Sequence, residues 1–323
     1  SNVTGRYNTA LGYESLKANT ASYNAAFGYQ ALLSNTSGTS NSGIGLWALK
    51  SNTTGSYNTA VGDSVLNSNV NGFYNTGIGY GALALNTSGE ANTAVGFLAL
   101  KSNVTGRYNT ALGYESLKAN TASYNSAFGY QALLSNTSGS SNSGIGLWAL
   151  KSNTTGSYNT GIGDSALINN TTGSYNLGIG YGSMASNTTG NNNSSIGFKA
   201  LYSNTTGVKN TAMGTESLYA NTTGDYNLAS GYQALKNNTT ADGNSAYGYQ
   251  ALYSNTTGVS NVASGKHALY SNTTGSYNTA IGFDTLYSNT TGDGNTAVGL
   301  YALRENTSGA INTAIGTSAL RYN

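Results

Sequence analysis

One pentapeptide constrains this chain more than anything else in it: Asn-Thr-Ala-x-Gly, recurring with drift from Asn8 to Asn312. It occurs 19 times at a spacing of 17 residues, apart from two 16-residue steps, Asn8 to Asn24 and Asn109 to Asn125. Numbering each unit from its leading asparagine gives N-T-A-Φ-G-x-x-A-L-x-S-N-T-T-G-x-x, with Φ apolar. The glycine at position 5 and the asparagine at position 12 never change, and position 9 is leucine except at Met184. Both short units read Asn-Thr-Ala-Ser-Tyr where others read Asn-Thr-Thr-Gly-x-x, so the missing residue falls in a turn. Residues 1–59 recur at 102–160 with only Ala25/Ser126 and Thr39/Ser140 exchanged, a trace of unit copying.

A period this short dictates the architecture, because seventeen residues bury too little to hold themselves. Two large apolar side chains per unit, at positions 4 and 9, contribute roughly 3–6 kcal/mol on burial, against about 17 kcal/mol or more for ordering the backbone. Stacking on identical neighbours supplies the rest. Glycines at positions 5 and 15 rule out a helix. The fold class is therefore all-β: a parallel β-solenoid of about 19 coils, 17 residues per coil, with residues 1–323 forming a single tandem-repeat array.

Alternation along Asn-Thr-Ala-Φ-Gly places Thr and Φ on one face and the small residues on the other. Because Φ is Leu11, Phe27, Ile44, Val61, Ile78 or Val95, that face is expected to be the core. A second strand, Ala-Leu-x-Ser, is expected to point its leucine inward opposite Φ, leaving position 10 outside. Asn-Thr-Thr-Gly reads as the return turn, with glycine supplying positive φ. Asparagines at fixed points of successive coils predict an amide ladder. Its structural residues include Asn52, Asn58, Asn272 and Asn278, with Gly62, Gly282, Leu66 and Leu286. The bare Ala/Gly face reads as room for another backbone, hence association with copies of the chain as a homotrimer or filament.

Composition narrows function. Charged residues are 7%, against roughly 25% in ordinary domains, yet 26 Tyr argue against disorder. A net charge of +2 offers no basic stripe for nucleic acid. Without cysteine there are no disulfides or thiolate metal sites, and no run of about 18 apolar residues predicts a membrane span. Ser1 and Asn323 both fall mid-repeat, which suggests a module of a longer fibre.

Catalytic residues, metal and cofactor are all expected to be none, and the chain is not expected to be an enzyme. His267 sits at the variable position 7, and Glu14, Glu115, Glu216, Asp63 and Asp164 recur through copying rather than as a carboxylate pair. Asp225, Asp242 and Asp293 read as isolated turn residues. The calcium repeat Gly-Gly-x-Gly-x-Asp and the phosphate-cradling glycine loop are both missing. The best ligand candidates are aromatic. Tyr253, Tyr270 and Tyr287 occupy position 10 on consecutive coils, as do Tyr202 and Tyr219. Such ladders either stack on sugar rings or brace adjacent coils. Asn35, Asn52, Asn187 and Asn272 also satisfy the glycosylation sequon, although turn chemistry alone selects the same residues.

At Asn58 to Leu66 and Asn278 to Leu286 the repeat resembles the heads of YadA-like trimeric autotransporter adhesins. It is equally similar to the β-solenoid repeat shafts of phage tail fibres. The resemblance covers all 19 units and implies a left-handed parallel β-roll, trimeric, at a cell surface or on a virion. The expected function is an extracellular structural or adhesive fibre built by self-association. The alternative is an adhesin or tail-fibre module gripping surface polysaccharide through its Tyr ladders. A third possibility, ice binding, is disfavoured here because Thr at position 2 is read as pointing inward.

Overall fold

Asn-Thr-Ala-Φ-Gly forms a three-residue strand in every unit. The computed structural model describes residues 4–323, which cluster into two compact units, Ser1–Tyr158 and Asn159–Asn323. The first holds β1 (Thr9–Leu11) to β9 (Ser143–Ile145), and the second β10 (Thr160–Ile162) to β19 (Thr313–Ile315). No helix occurs among the described residues. Within each unit consecutive strands pair in parallel with equivalent residues aligned, as in Thr59↔Thr76, Ala60↔Gly77 and Val61↔Ile78. The chain is a parallel β-solenoid with one coil per repeat.

Coil-to-coil hydrogen bonding continues beyond the strands. The turn residues Ser64, Leu66 and Ser68 donate their N–H groups to Leu46, Ala82 and Ala84 at 2.8, 3.1 and 3.0 Å. Thr side chains at position 13 add a further rung, as where the Thr36 hydroxyl donates to the Thr53 carbonyl at 3.0 Å. Buried backbone groups need such partners, and a stack of equal coils provides one at each step.

The strand faces are the reverse of the sequence expectation. Position 3 is the buried one: Ala26, Ala60, Ala94 and their equivalents are fully buried. Φ points out, with Ile44, Ile78, Ile145 and Ile281 exposing 39–44% of their surface. Thr at position 2 shares the outward face, half-buried or exposed. The small residues are therefore the coil's own lining and not a gap for a neighbouring molecule. A Cβ added at Gly43 would already lie 3.3 Å from the Ala48 carbonyl oxygen and 3.5 Å from Leu32 Cγ, so only side chains as small as alanine or serine fit. Ser195 is the one polar residue at this position, and its hydroxyl is satisfied by Ser183 at 2.7 Å and the Ala200 carbonyl at 2.8 Å.

The second strand is also absent. Ala-Leu-x-Ser is a tight turn in which positions 7 and 9 have positive φ, for example Ser64 at 59° and Leu66 at 50°. The leucine does point inward: Leu66, Leu286 and their equivalents are fully buried. It packs on alanine rather than on Φ. Positive φ in the return turn falls on position 17 (Tyr57, 60°) and not on the position-15 glycine. That glycine is small because it lies beneath the asparagine amides, and alanine takes the same carbonyl role at Ala241 and, in the short coils, at Ala21 and Ala122. Position 5 is the glycine that needs its backbone: Gly282 has φ +134°, and a Cβ there would sit 2.6 Å from the Gly299 carbonyl oxygen.

Candidate functional site

Two kinds of side-chain column run along each unit, and they differ in what they leave available. The inner columns are amides. Asn52 Nδ2 donates to Asn35 Oδ1 at 2.7 Å and to the Gly55 carbonyl at 2.9 Å. Asn69 repeats both bonds one coil on, at 2.7 and 3.1 Å. Position 1 forms a companion column in which the Asn58 N–H donates to Asn41 Oδ1 at 3.0 Å and Asn58 Nδ2 donates to the Gly72 carbonyl at 2.8 Å. In the second unit, Asn272 donates to Asn255 Oδ1 at 2.9 Å, and the Asn278 N–H to Asn261 Oδ1 at 2.9 Å. These columns are the ladder that the repeat predicted.

The ladder changes at the short coil. Asn120 donates to the Ala122 carbonyl at 2.8 Å, and no Asn120–Asn103 bond forms among the described residues. Asn103 Oδ1 instead receives Asn109 Nδ2 at 3.4 Å, a long contact. Deleting one turn residue moves the acceptor carbonyl one residue closer to Asn120 and costs one rung.

The sequon asparagines Asn35, Asn52, Asn187 and Asn272 belong to this column and are fully buried. The nitrogen that a glycan would occupy already donates twice, at 2.8 and 3.1 Å for Asn187. Attached sugar and folded coil exclude one another at these four positions, which corrects the glycosylation expectation.

The outer columns are aromatic. At position 10 of the second unit Tyr202 stacks on Tyr219 at 5.3 Å, and Tyr253, Tyr270 and Tyr287 stack at 5.2 Å per step, nearly parallel. Lys236 lies between the two runs, 5.9 Å from Tyr219 and 6.0 Å from Tyr253. The Arg304 guanidinium lies 5.0 Å over Tyr287. The ring faces are thus occupied by other rings and by cations, so a sugar approaching this column meets edges and hydroxyls. Burial, followed by the flanking phenols Tyr253 and Tyr287, raises the Tyr270 pKa above the ordinary phenol value.

Beside the tyrosines runs a polar column at position 7. Gln233 donates to Glu216 at 2.8 Å, Gln250 to Gln233 at 2.7 Å, and Lys236 reaches Glu216 at 2.7 Å. The Lys236 hydrogen bond, then the Gln233 one, holds the Glu216 pKa below the usual carboxylate range, and the same bond raises that of Lys236. His267 Nδ1 lies 3.2 Å from Asp284 Oδ1, and Arg304 also approaches Asp284. Asp225 and Asp242 are less isolated than expected. They occupy the same position on consecutive coils, and the Asp225 N–H donates to Asp242 Oδ1 at 2.7 Å. No group of three or more metal-ligating side chains comes together among the described residues. No helix there is long and apolar enough to cross a membrane.

Sequence reasoning singled out the position-6 tyrosines but missed that position 4 faces outward beside them. In the first unit position 4 is apolar in all nine strands, from Leu11 to Ile145. Position 6 beside it adds Tyr13, Tyr29, Tyr80, Phe97, Tyr114 and Tyr130, with successive rings stacked wherever two fall on adjacent coils. The clue was the occupancy of Φ by Ser230, Tyr247 and Ser264 in the second unit, since an enclosed core position would not accept them. No protein-family model and no curated protein matches the sequence of this chain, so its reading rests on this geometry.

Proposed function

We propose that the chain is a non-catalytic structural module of an extracellular fibre that associates with copies of itself. The outward sheet face of the first unit carries this reading. Across positions 2, 4 and 6 of nine coils, Asp63 is the only charged residue, while aliphatic or aromatic side chains stand exposed on eight of the nine, Val61 beside Asp63 being half-buried. Contiguous exposed apolar surface on this scale marks an interface, and depletion of charge with enrichment in aromatics is how interface cores differ from other surface. A strip five residues wide and nine coils tall covers roughly 700 Å², close to the ~800 Å² per partner of a stable complex. The polysaccharide-binding alternative draws less support from the position-10 ladder, where ring faces are taken.

Sedimentation velocity tests the reading. Wild-type protein is expected to form oligomers or filaments, and Ile78→Lys with Val95→Lys to disperse them while the circular dichroism spectrum stays unchanged. A wild type that remains monomeric at about 100 μM, where interfaces of this size are normally populated, would end it.

A second reading is favoured by one observation. Thr59, Thr76, Thr93 and Thr110 present an outward hydroxyl column, and none of these hydroxyls makes a hydrogen bond among the described residues. A flat, regular row of hydroxyls and methyls suits ordered water, which supports ice binding. Thermal hysteresis at millimolar protein separates the two readings, since association through the apolar columns requires none.

A further inference from the structure

We propose that the position-17 column of the first unit carries ring-sized slots, each built to hold one pyranose ring of an uncharged glycan. This goes beyond the fibre reading and does not depend on it. The column is not a continuous ladder. Its tyrosines come in stacked pairs, Tyr7 with Tyr23 at 5.1 Å and Tyr57 with Tyr74 at 5.0 Å. A third pair, Tyr108 with Tyr124, stacks at 5.3 Å, and after each pair one coil carries a small residue instead: Ser40, Ala91 and Ser141.

The backbone does not change at these coils. Tyr23, Ser40 and Tyr57 have φ of 63°, 56° and 60°, and Tyr74 and Ala91 have 59° and 52°. Each N–H continues the same coil-to-coil bond, Ser40 to Ser22 at 3.3 Å and Tyr57 to Thr39 at 3.0 Å. Tyr23 and Tyr57 are therefore related by two ordinary coil steps. If one step separates ring centroids by 5.0–5.3 Å, two steps leave a gap of about 10 Å, whose midpoint lies about 5 Å from each wall, within the stacking range. That is room for one ring and no more.

The chemistry of the slot selects the guest. Both walls are phenol faces, and the tyrosines are 54–61% exposed at the first slot, so the opening faces solvent. The floor is a serine or an alanine, and phenol hydroxyls rim the entrance. At the second slot the position-16 pair Glu90–Arg107, 3.2 Å apart, precedes Ala91 and Tyr108. A pyranose matches this arrangement because its two faces are C–H surface and its edge is hydroxyl. An aromatic side chain would leave an apolar edge at the polar rim. Nucleic acid is disfavoured by the near-neutral charge of +2, which offers little to bind phosphates. The position-10 tyrosines cannot serve in this way, since their faces are already covered. The three slots recur every three coils, about 14 Å apart, so a branched or multivalent glycan would engage more than one.

The test fills the slots. Ser40→Tyr, Ala91→Tyr and Ser141→Tyr together complete the column using a residue that already adopts this backbone at equivalent coils, so the thermal melt should be unchanged or raised. Saturation-transfer NMR with methyl glycosides of glucose, galactose, mannose and N-acetylglucosamine at about 20 mM reads the weak binding expected of single rings. Wild type is expected to bind at least one of them, and the filled variant to bind about tenfold more weakly or not at all. Tyr57→Ala with Tyr108→Ala and Tyr158→Ala, which removes one wall of every slot, is expected to lose the same signal. Three results overturn the proposal: wild type binding none of the glycosides, filled variant binding as wild type does, or p-cresol outcompeting every glycoside. A shift in sedimentation on filling would overturn it too, by marking the slots as contacts between copies.

Discussion

The buried asparagine columns and the exposed tyrosine columns are built by the same repetition, yet only the first are unbroken in sequence. Position 12 is asparagine in every unit, whereas position 17 changes from Tyr to Ser, Ala, Asn, Lys, Gly or Ile. The difference follows from what each rung requires. Asn69 accepts from Asn86 at 2.8 Å and donates to Asn52 and Gly72, so changing it strands buried groups on Asn52 and Asn86 and leaves the Gly72 carbonyl with Asn58 alone. Buried polar groups without partners are expensive. A missing ring on the outside exposes its neighbour's face to water, which costs little and creates a cavity open to ligands. Constancy inside the coil is therefore a matter of stability, and variation outside is where recognition can be written.

Removing an inner rung should give the largest effect. Asn69→Ala is expected to lower the stability of the first unit by about 3 kcal/mol or more, read as loss of amide-exchange protection in the coils from Asn52 to Asn86. A cost below about 1 kcal/mol would show that water replaces the amide and would remove the contrast. An outer rung should cost less. Tyr270→Ala loses two stacked neighbours and an edge contact with His267, about 1–3 kcal/mol, visible as a shift in the denaturant midpoint of the second unit.

The smallest effect should be electrostatic. Because the folded state lowers the Glu216 pKa, its contribution is present above the ordinary glutamate pKa and is lost as the pH falls from there through the lower folded-state value. Lys236, with its raised pKa, contributes fully below the ordinary lysine pKa and is lost as the pH rises from there through the higher folded-state value. The two side chains are 23% and 25% exposed and lie at the surface, so the change is at most about 1 kcal/mol. Glu216→Gln should flatten the acid side of a melting-temperature profile, and an unchanged profile would assign the pair no role.

Much of the fold was legible because the period is so regular. Coil length, parallel register and the amide columns all follow from equivalent residues meeting one coil apart. The facing of the strand was not legible, because alternation shows that two faces exist and says nothing about which is enclosed. The decision rests with width: the interior is already filled by one leucine and two amides per coil, and an alanine is all it can add. The turn at Ala-Leu-x-Ser was hidden for another reason. A leucine with positive φ is disfavoured by roughly 1–2 kcal/mol, and only the surrounding stack makes that conformation worthwhile. The slots were present in the sequence as Tyr-Tyr-Ser and Tyr-Tyr-Ala at one position, but their meaning needed the shared backbone.

Those left-handed leucines also bear on how the chain reaches its fold. A solitary coil would hold positions 7, 9 and 17 in an unfavourable conformation with nothing above or below to compensate. A seed of several coils must therefore form together before growth becomes downhill, after which each new coil adds on a finished template. Nucleation should be slow and elongation fast. Once assembled, coils in the middle of the stack have no easy first step toward release, and loss should begin at the free ends.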